Sequence, residues 1–180
     1  ALFISGVFMG LGVLTKVPAI LDFASVCSIA YFTWIQTASF KNWRKALTNL
    51  GQPLLQLLAL FAGLIVPIIA SVIYFISIGS GQDYLDFGLL YNFRYAGSWG
   101  LPFTNPLLLW SFTLPGKVAY LLALVGIITL LKKHLTPIFQ FVLTWFGFAL
   151  FAALLSNRPY PHYLIQVVPA AALLLTLSGT

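Results

Sequence analysis

The chain has 180 residues, of which 61% are hydrophobic and 7% charged, nine Lys/Arg against three Asp, with a formal net charge of +6. Soluble domains average about 45–50% apolar and about 25% charged residues. Twelve charges cannot cover so much apolar surface in water, which excludes a soluble enzyme, a disordered tail and a nucleic-acid module. The composition predicts an all-α, polytopic transmembrane helix bundle.

A spanning helix needs about 20 mostly apolar residues. On that measure the chain holds about six membrane segments, near 1–14, 19–38, 53–79, 106–131 (interrupted), 136–156 and 163–177. In the first, Gly6 and Gly10 form a G-x-x-x-G pair, which suits close helix packing. Thr15-Lys16-Val17-Pro18 closes it. The second is rich in Ser, Thr, Cys and Ala, the composition of a helix inside a bundle rather than one facing lipid. Cys27 lies in it, and a lone cysteine offers neither a disulfide nor a Cys-based metal site.

Asp22 lies four residues into that second segment, where a carboxylate is costly and marks a candidate site. Lys16, six residues earlier, is its expected ion-pair partner, and a structural pair at a helix end is the simpler reading. The basic cluster Lys41-Asn42-Trp43-Arg44-Lys45 follows with an interfacial Trp.

The 80–105 connection carries seven aromatics, Tyr84, Phe87, Tyr91, Phe93, Tyr95, Trp99 and Phe103. If 83–95 is helical, Tyr84, Phe87, Tyr91, Arg94 and Tyr95 fall near one side. Such a helix lies in the membrane interface, as an aromatic belt or as a lip over a lipid- or sugar-binding cavity. Asp83 and Asp86 are spaced D-x-x-D, which reads first as solvated or capping residues and second as paired carboxylates.

The fourth apolar stretch is interrupted at Pro115-Gly116-Lys117. The segment 118–131 alone spans about 21 Å at 1.5 Å per residue, short of a hydrocarbon core of about 30 Å. Either a kinked helix starts before Pro115, or 106–113 is a separate re-entrant or interfacial piece. Lys117 favours the second, because a midspan lysine is expensive. Lys132-Lys133-His134 forms a second basic cluster.

The 157–162 turn is stiffened by Pro159 and Pro161, which bias their preceding residues toward extended geometry. It presents Arg158, Tyr160, His162 and Tyr163, types suited to phosphate, hydroxyl recognition or proton handling, or to a plain interfacial turn. The positive-inside rule places loops 41–45 and 132–134 in the cytoplasm. Counting spans then sends Lys16 and loops 80–105 and 157–162 outside, with all three carboxylates on or near that face.

Two stretches carry a family resemblance. Gly10-Leu11-Gly12-Val13-Leu14-Thr15-Lys16-Val17-Pro18 resembles a "GLxxLTKxP" stretch of membrane glycosyltransferases of the protein O-mannosyltransferase and aminoarabinose-transferase type. Arg158-Pro159-Tyr160-Pro161-His162-Tyr163, continuing to Pro169, resembles that family's "R-x-x-x-H-Y-x-x-x-x-x-P" entry into a late helix.

The resemblance implies a GT-C-like fold and a polyprenyl-phosphate-linked sugar as donor. It further implies transfer at the outer face of the plasma (inner) membrane to a protein, lipid or glycan acceptor. It matches the later part of such an enzyme, so a catalytic base is expected in an N-terminal loop not among these residues, and the chain as given is expected to be inactive. Lys16, Arg158 and His162 match motif positions and are expected, with Arg94, at the donor phosphate. Tyr160, Tyr163, Tyr91 and Trp99 are the expected cavity and sugar-stacking aromatics. No cofactor or protein metal ligand is called for, though a divalent metal held by other residues stays open; nor is nucleic acid expected. A transporter or flippase for a lipid-linked sugar and a surface-polysaccharide ligase or polymerase are the competing readings.

Overall fold

The computed structural model describes residues 1–37, 49–91, 105–131, 134–155 and 161–179. These are helical apart from short turns, with no strand among them. Among the described residues four stretches are long and apolar enough to cross a membrane: Val17–Ile35, Gly51–Ser77, Pro137–Leu154 and Pro161–Ser178. Leu2–Thr15 and Leu114–Leu130 are shorter, about 21 and 26 Å by helical rise. Large apolar side chains stand exposed along these helices, among them Leu55, Ile73, Leu122 and Leu175. Water would not tolerate that surface, and lipid does.

The chain forms two compact units, Ala1–Arg94 and Tyr95–Thr180. In the first, α1 (Leu2–Thr15) leads through a 3-10 turn (Val17–Ala19) into α2 (Ile20–Thr37), and α3 (Gly51–Ser77) follows. α1 packs chiefly on α3. A Cβ on Gly6 would fall on the Leu60 carbonyl oxygen, one on Gly10 on the Leu64 oxygen, and one on Gly63 on the Phe3 oxygen. The expected G-x-x-x-G contact therefore forms, and a third glycine answers it from the facing helix. The order of these contacts, Gly6 at Leu60 and Gly10 at Leu64 and Pro67, shows that α1 and α3 run parallel.

α2 buries one stripe, Ser25, Ser28, Phe32 and Ile35, while Ile29 and Tyr31 remain exposed. The Ser25 hydroxyl donates to the Asp22 carbonyl and that of Ser28 to the Ser25 carbonyl. The small polar residues thus face the unit along one side. Local back-bonding satisfies their hydroxyls.

α3 ends in a Schellman motif. Gly79 adopts φ 81°, its N–H donates to the Ile76 carbonyl (3.0 Å), and the Ser80 N–H donates to that of Phe75 (2.9 Å). Glycine takes this left-handed conformation without a Cβ penalty. The chain continues as one α turn, α4 (Gly81–Asp83), and a π-wound segment, Tyr84–Leu90.

In the second unit α5 (Pro106–Phe112) and α6 (Leu114–Leu130) are distinct helices. Thr113 separates them and caps α6, its side chain accepting from the Gly116 N–H at 3.2 Å. Pro106–Phe112 is thus a helix of its own. Pro115, however, starts α6 instead of breaking it: in the first turn its missing N–H costs nothing. Lys117 consequently belongs to the helix. A turn this tight needs Gly116, where a Cβ would fall on the Trp110 carbonyl oxygen.

α7 (Pro137–Leu154) is capped by Thr136 in the same way. A 3-10 segment, Pro161–Val167, leads into α8 (Val168–Ser178). Ala149, Ala153 and Val167 form the buried core between them, with Phe146, Leu150 and Tyr163 packed against it.

Candidate functional site

Lys16 stands where two helices meet. α1 ends because Lys16 turns extended (φ −151°, ψ 106°), while its N–H still donates to the Gly12 carbonyl at 2.9 Å. Its own carbonyl accepts from Ala19 at 2.8 Å, closing the 3-10 turn that Pro18 starts. The cation therefore sits at the C-terminal end of α1, and Asp22 sits in the first turn of α2. Both placements suit the helix dipoles. Burial pushes the Lys16 ammonium below the ordinary lysine range, and the Asp22 carboxylate opposes that shift.

Because α1 and α3 run parallel, Lys16 and the end of α3 lie at one end of this unit. Tyr84 folds back there onto α3: its ring stacks on Phe75 at 4.3 Å and 8°, and its hydroxyl shares a 2.8 Å hydrogen bond with Ser71 Oγ. Phe87 and Tyr91 stay exposed, at 71% and 50%. The single aromatic face expected for an α-helix is divided, because π winding changes which residues share a side. Asp83 is exposed, and Asp86 Oδ2 accepts from Gln82 Nε2 at 3.0 Å. Asp22, Asp83 and Asp86 all lie toward this end, but no three of His, Cys, Asp and Glu come together among the described residues.

Among the described residues of the second unit, Lys117 is the buried cation, 8% exposed. Its Nζ donates to the Leu154 carbonyl and, at 3.4 Å, to that of Leu155. These are the last carbonyls of α7, which lack helical partners and carry the negative end of its dipole. The lysine thereby closes the C-terminal end of α7. Beside it a cavity of about 290 Å³ opens between Lys117, Tyr120 and Leu124 of α6 and Gly147, Phe151 and Leu154 of α7.

The 3-10 segment brings His162 against Tyr163, ring centroids 4.4 Å apart. Gln166 Nε2 donates to the Ala149 carbonyl at 3.2 Å, tying the segment to α7. His162 is exposed, whereas Tyr163 is half-buried against the Ala149 and Ala153 core. Arg94, Trp99, Arg158 and Tyr160 lie outside the described residues, as do Lys41, Arg44, Lys45, Lys132 and Lys133.

The sequence reading used Lys117 only to mark a break and missed it as a site. The signal was a lysine four residues after Thr113, a capping type, with apolar sequence beyond. No protein family, curated protein or solved structure matches the chain.

Proposed function

We propose that the chain is part of an integral membrane glycosyltransferase that transfers a sugar from a polyprenyl-phosphate donor to an acceptor hydroxyl at the outer face of the plasma membrane. The observation that carries this reading is Lys16: a half-buried cation on the extended residue between two helices, coupled to Asp22, at the same end as exposed Phe87 and Tyr91. A lysine there holds a lipid phosphate as a point charge. Exposed aromatics beside it offer flat faces to a sugar ring.

In the transfer the bond between the anomeric carbon and the phosphate oxygen breaks, and the acceptor oxygen bonds to that carbon. The acceptor proton passes to a base, and polyprenyl phosphate leaves with the electron pair. In the first unit Lys16 stabilises the leaving phosphate; Arg158, His162 and Arg94 are proposed for the same role on the resemblance alone. Tyr91, Trp99, Tyr160 and Tyr163 shape the sugar side. The base is not Asp83 or Asp86, and Asp22 holds Lys16 in place. Loops 41–45 and 132–134 face the cytoplasm, and loops 80–105 and 157–162 face outward.

The test is turnover of a polyprenyl-phosphate sugar by the full-length protein in vesicles. Lys16→Ala and Arg158→Ala each remove a charged phosphate contact worth about 1.5–3 kcal/mol, hence an expected loss of about 10–100-fold. Lys16→Arg retains part of the activity. Unchanged turnover in both alanine variants overturns the assignment. A transporter or flippase for a lipid-linked sugar is the second reading, favoured by the broken α5–α6 pair with a lysine in the first turn of α6. It requires the lipid-linked sugar to cross the bilayer with no transfer product.

A further inference from the structure

The segment that follows α3 turns back along it at the edge of the membrane. From 57 to 77 α3 carries no charged or amide side chain. That run is about 30 Å long by helical rise, the thickness of a hydrocarbon core. Ser77 therefore stands at the edge of the core, and Ser71 about 9 Å inside it. Beyond the Schellman turn the chain stays at this edge: a Cβ on Gly81 would meet the Ile76 side chain, so the segment starts beside the last turn of α3. Tyr84 then reaches inward, its ring on Phe75 and its hydroxyl on Ser71. The Ser71 hydroxyl donates to the Ile68 carbonyl at 2.8 Å, which makes Tyr84 the donor to Ser71. Each hydroxyl proton thus has an acceptor without water, as hydrocarbon requires.

Polarity changes along this segment. Gln82, Asp83 and Asp86 lie in its first half, Gln82 and Asp83 exposed and Asp86 bonded to Gln82. The following stretch, 87–91, has no charged or amide side chain. The Tyr91 N–H donates to the Asp86 carbonyl, five residues back. Such a turn keeps residue i+4 beside residue i and swings i+3 away. Phe87 thereby parts from the docked Tyr84, and Phe87 and Leu90 stand exposed. Ile73 and Ile76 of α3 are exposed as well, so the apolar surface that the spanning helix offers to lipid continues past Gly81 onto the segment. We propose that 84–91 re-enters the edge of the bilayer, with Phe87 and Leu90 among the acyl chains of the surrounding phospholipid and Gln82 and Asp83 at its head groups. Tyr84 is the tether that holds the segment at this depth. The proposal rests on depth and not on the transfer reading; the sugar of a lipid-linked donor occupies the same head-group layer, so the two do not compete.

The test is power-saturation electron paramagnetic resonance on the full-length protein in phosphatidylcholine vesicles, with Cys27→Ser and any further cysteine replaced. Single spin labels are attached at Phe87→Cys and Leu90→Cys. Ile73→Cys on α3 serves as the lipid reference and Asp83→Cys as the water reference. Oxygen concentrates among acyl chains, whereas the charged chelate chromium oxalate is excluded from them, so the oxygen-to-chelate collision ratio at 87 and 90 should be at least about fivefold that at 83 and close to that at 73. A ratio at 87 and 90 equal to that at 83 places the segment in water, where it would be a platform for a soluble ligand, and overturns the proposal. Weak collisions with both reagents place it under protein and overturn it equally. If one labelled variant fails to fold, the other decides. Turnover does not enter the measurement, so failure of the transfer reading and failure of this proposal are separate results.

Discussion

Replacing Gly6 with alanine places a methyl group on the carbonyl oxygen of Leu60, at a distance no real Cβ keeps. The obstacle is backbone, so no rotamer change relieves it, and α1 must withdraw from α3 by more than an ångström to reach ordinary contact. That withdrawal opens the dispersion contacts along the crossing, where Gly10 and Gly63 also sit on backbone atoms. Overpacking of this kind costs about 1–3 kcal/mol. Alanine returns about 0.5–1 kcal/mol of helix propensity, leaving a net loss of up to about 2.5 kcal/mol. Gly12, on the same helix, is the internal control. A Cβ there would meet only the Ala19 Cβ, at 4.0 Å, so Gly12→Ala should be neutral or slightly stabilising. Reversible unfolding of the reconstituted protein in mixed micelles, followed by circular dichroism, measures both. If Gly6→Ala and Gly12→Ala agree within about 0.5 kcal/mol, which is the usual scatter of surface substitutions, the close α1–α3 contact is refuted.

Three further outcomes are expected. Tyr84→Phe keeps the stack on Phe75 and loses the hydroxyl bond to Ser71, for about 0.5–1.5 kcal/mol; Tyr84→Ala should cost more by the same assay, and equal costs would show that the stack contributes nothing. Thr113→Ala removes the cap on the Gly116 N–H and should cost about 0.5–2 kcal/mol, with Thr113→Ser restoring most of it; equal losses in the two variants would refute a cap. Lys16 binds its proton less tightly in the folded chain than in the unfolded one. Between its lowered value and the ordinary lysine value the unfolded state therefore holds more protons, and stability rises with pH. The wild type should gain stability over Lys16→Gln as pH climbs through that alkaline window, and a falling difference would reverse the sign of the argument.

Much of the first unit was readable from residue order. Gly6 and Gly10 are spaced for a helix crossing, and the crossing forms; what spacing does not tell is the partner, and Gly63 on α3 supplies it. Asp22 and Lys16 are expected to pair on proximity across Pro18, and the fold sets them at the two helix ends that flank that turn. Pro115 was harder, because a proline inside an apolar run reads equally as a kink or a start. The answer depends on Thr113 accepting from Gly116, a contact made only once the chain has turned. Tyr84 and Phe87 share a face in an α-helix and part in a π-wound one, and the local sequence does not announce that winding.

Composition and order by themselves determined the class of this protein. With so few charges and apolar runs of this length, helices with internally satisfied backbones in lipid are the solution available to a chain whose pattern is helical. The approximate helix limits follow too, because glycine and proline act locally, as Gly79 and Pro137 do. Only the tertiary structure decided the place of Lys117. A lysine in an apolar helix is a cost until another helix brings its last carbonyls within reach, and those belong to Leu154 and Leu155, far along the chain. Contacts between distant residues balance charge and leave cavities, and neither is a property of any single stretch of sequence.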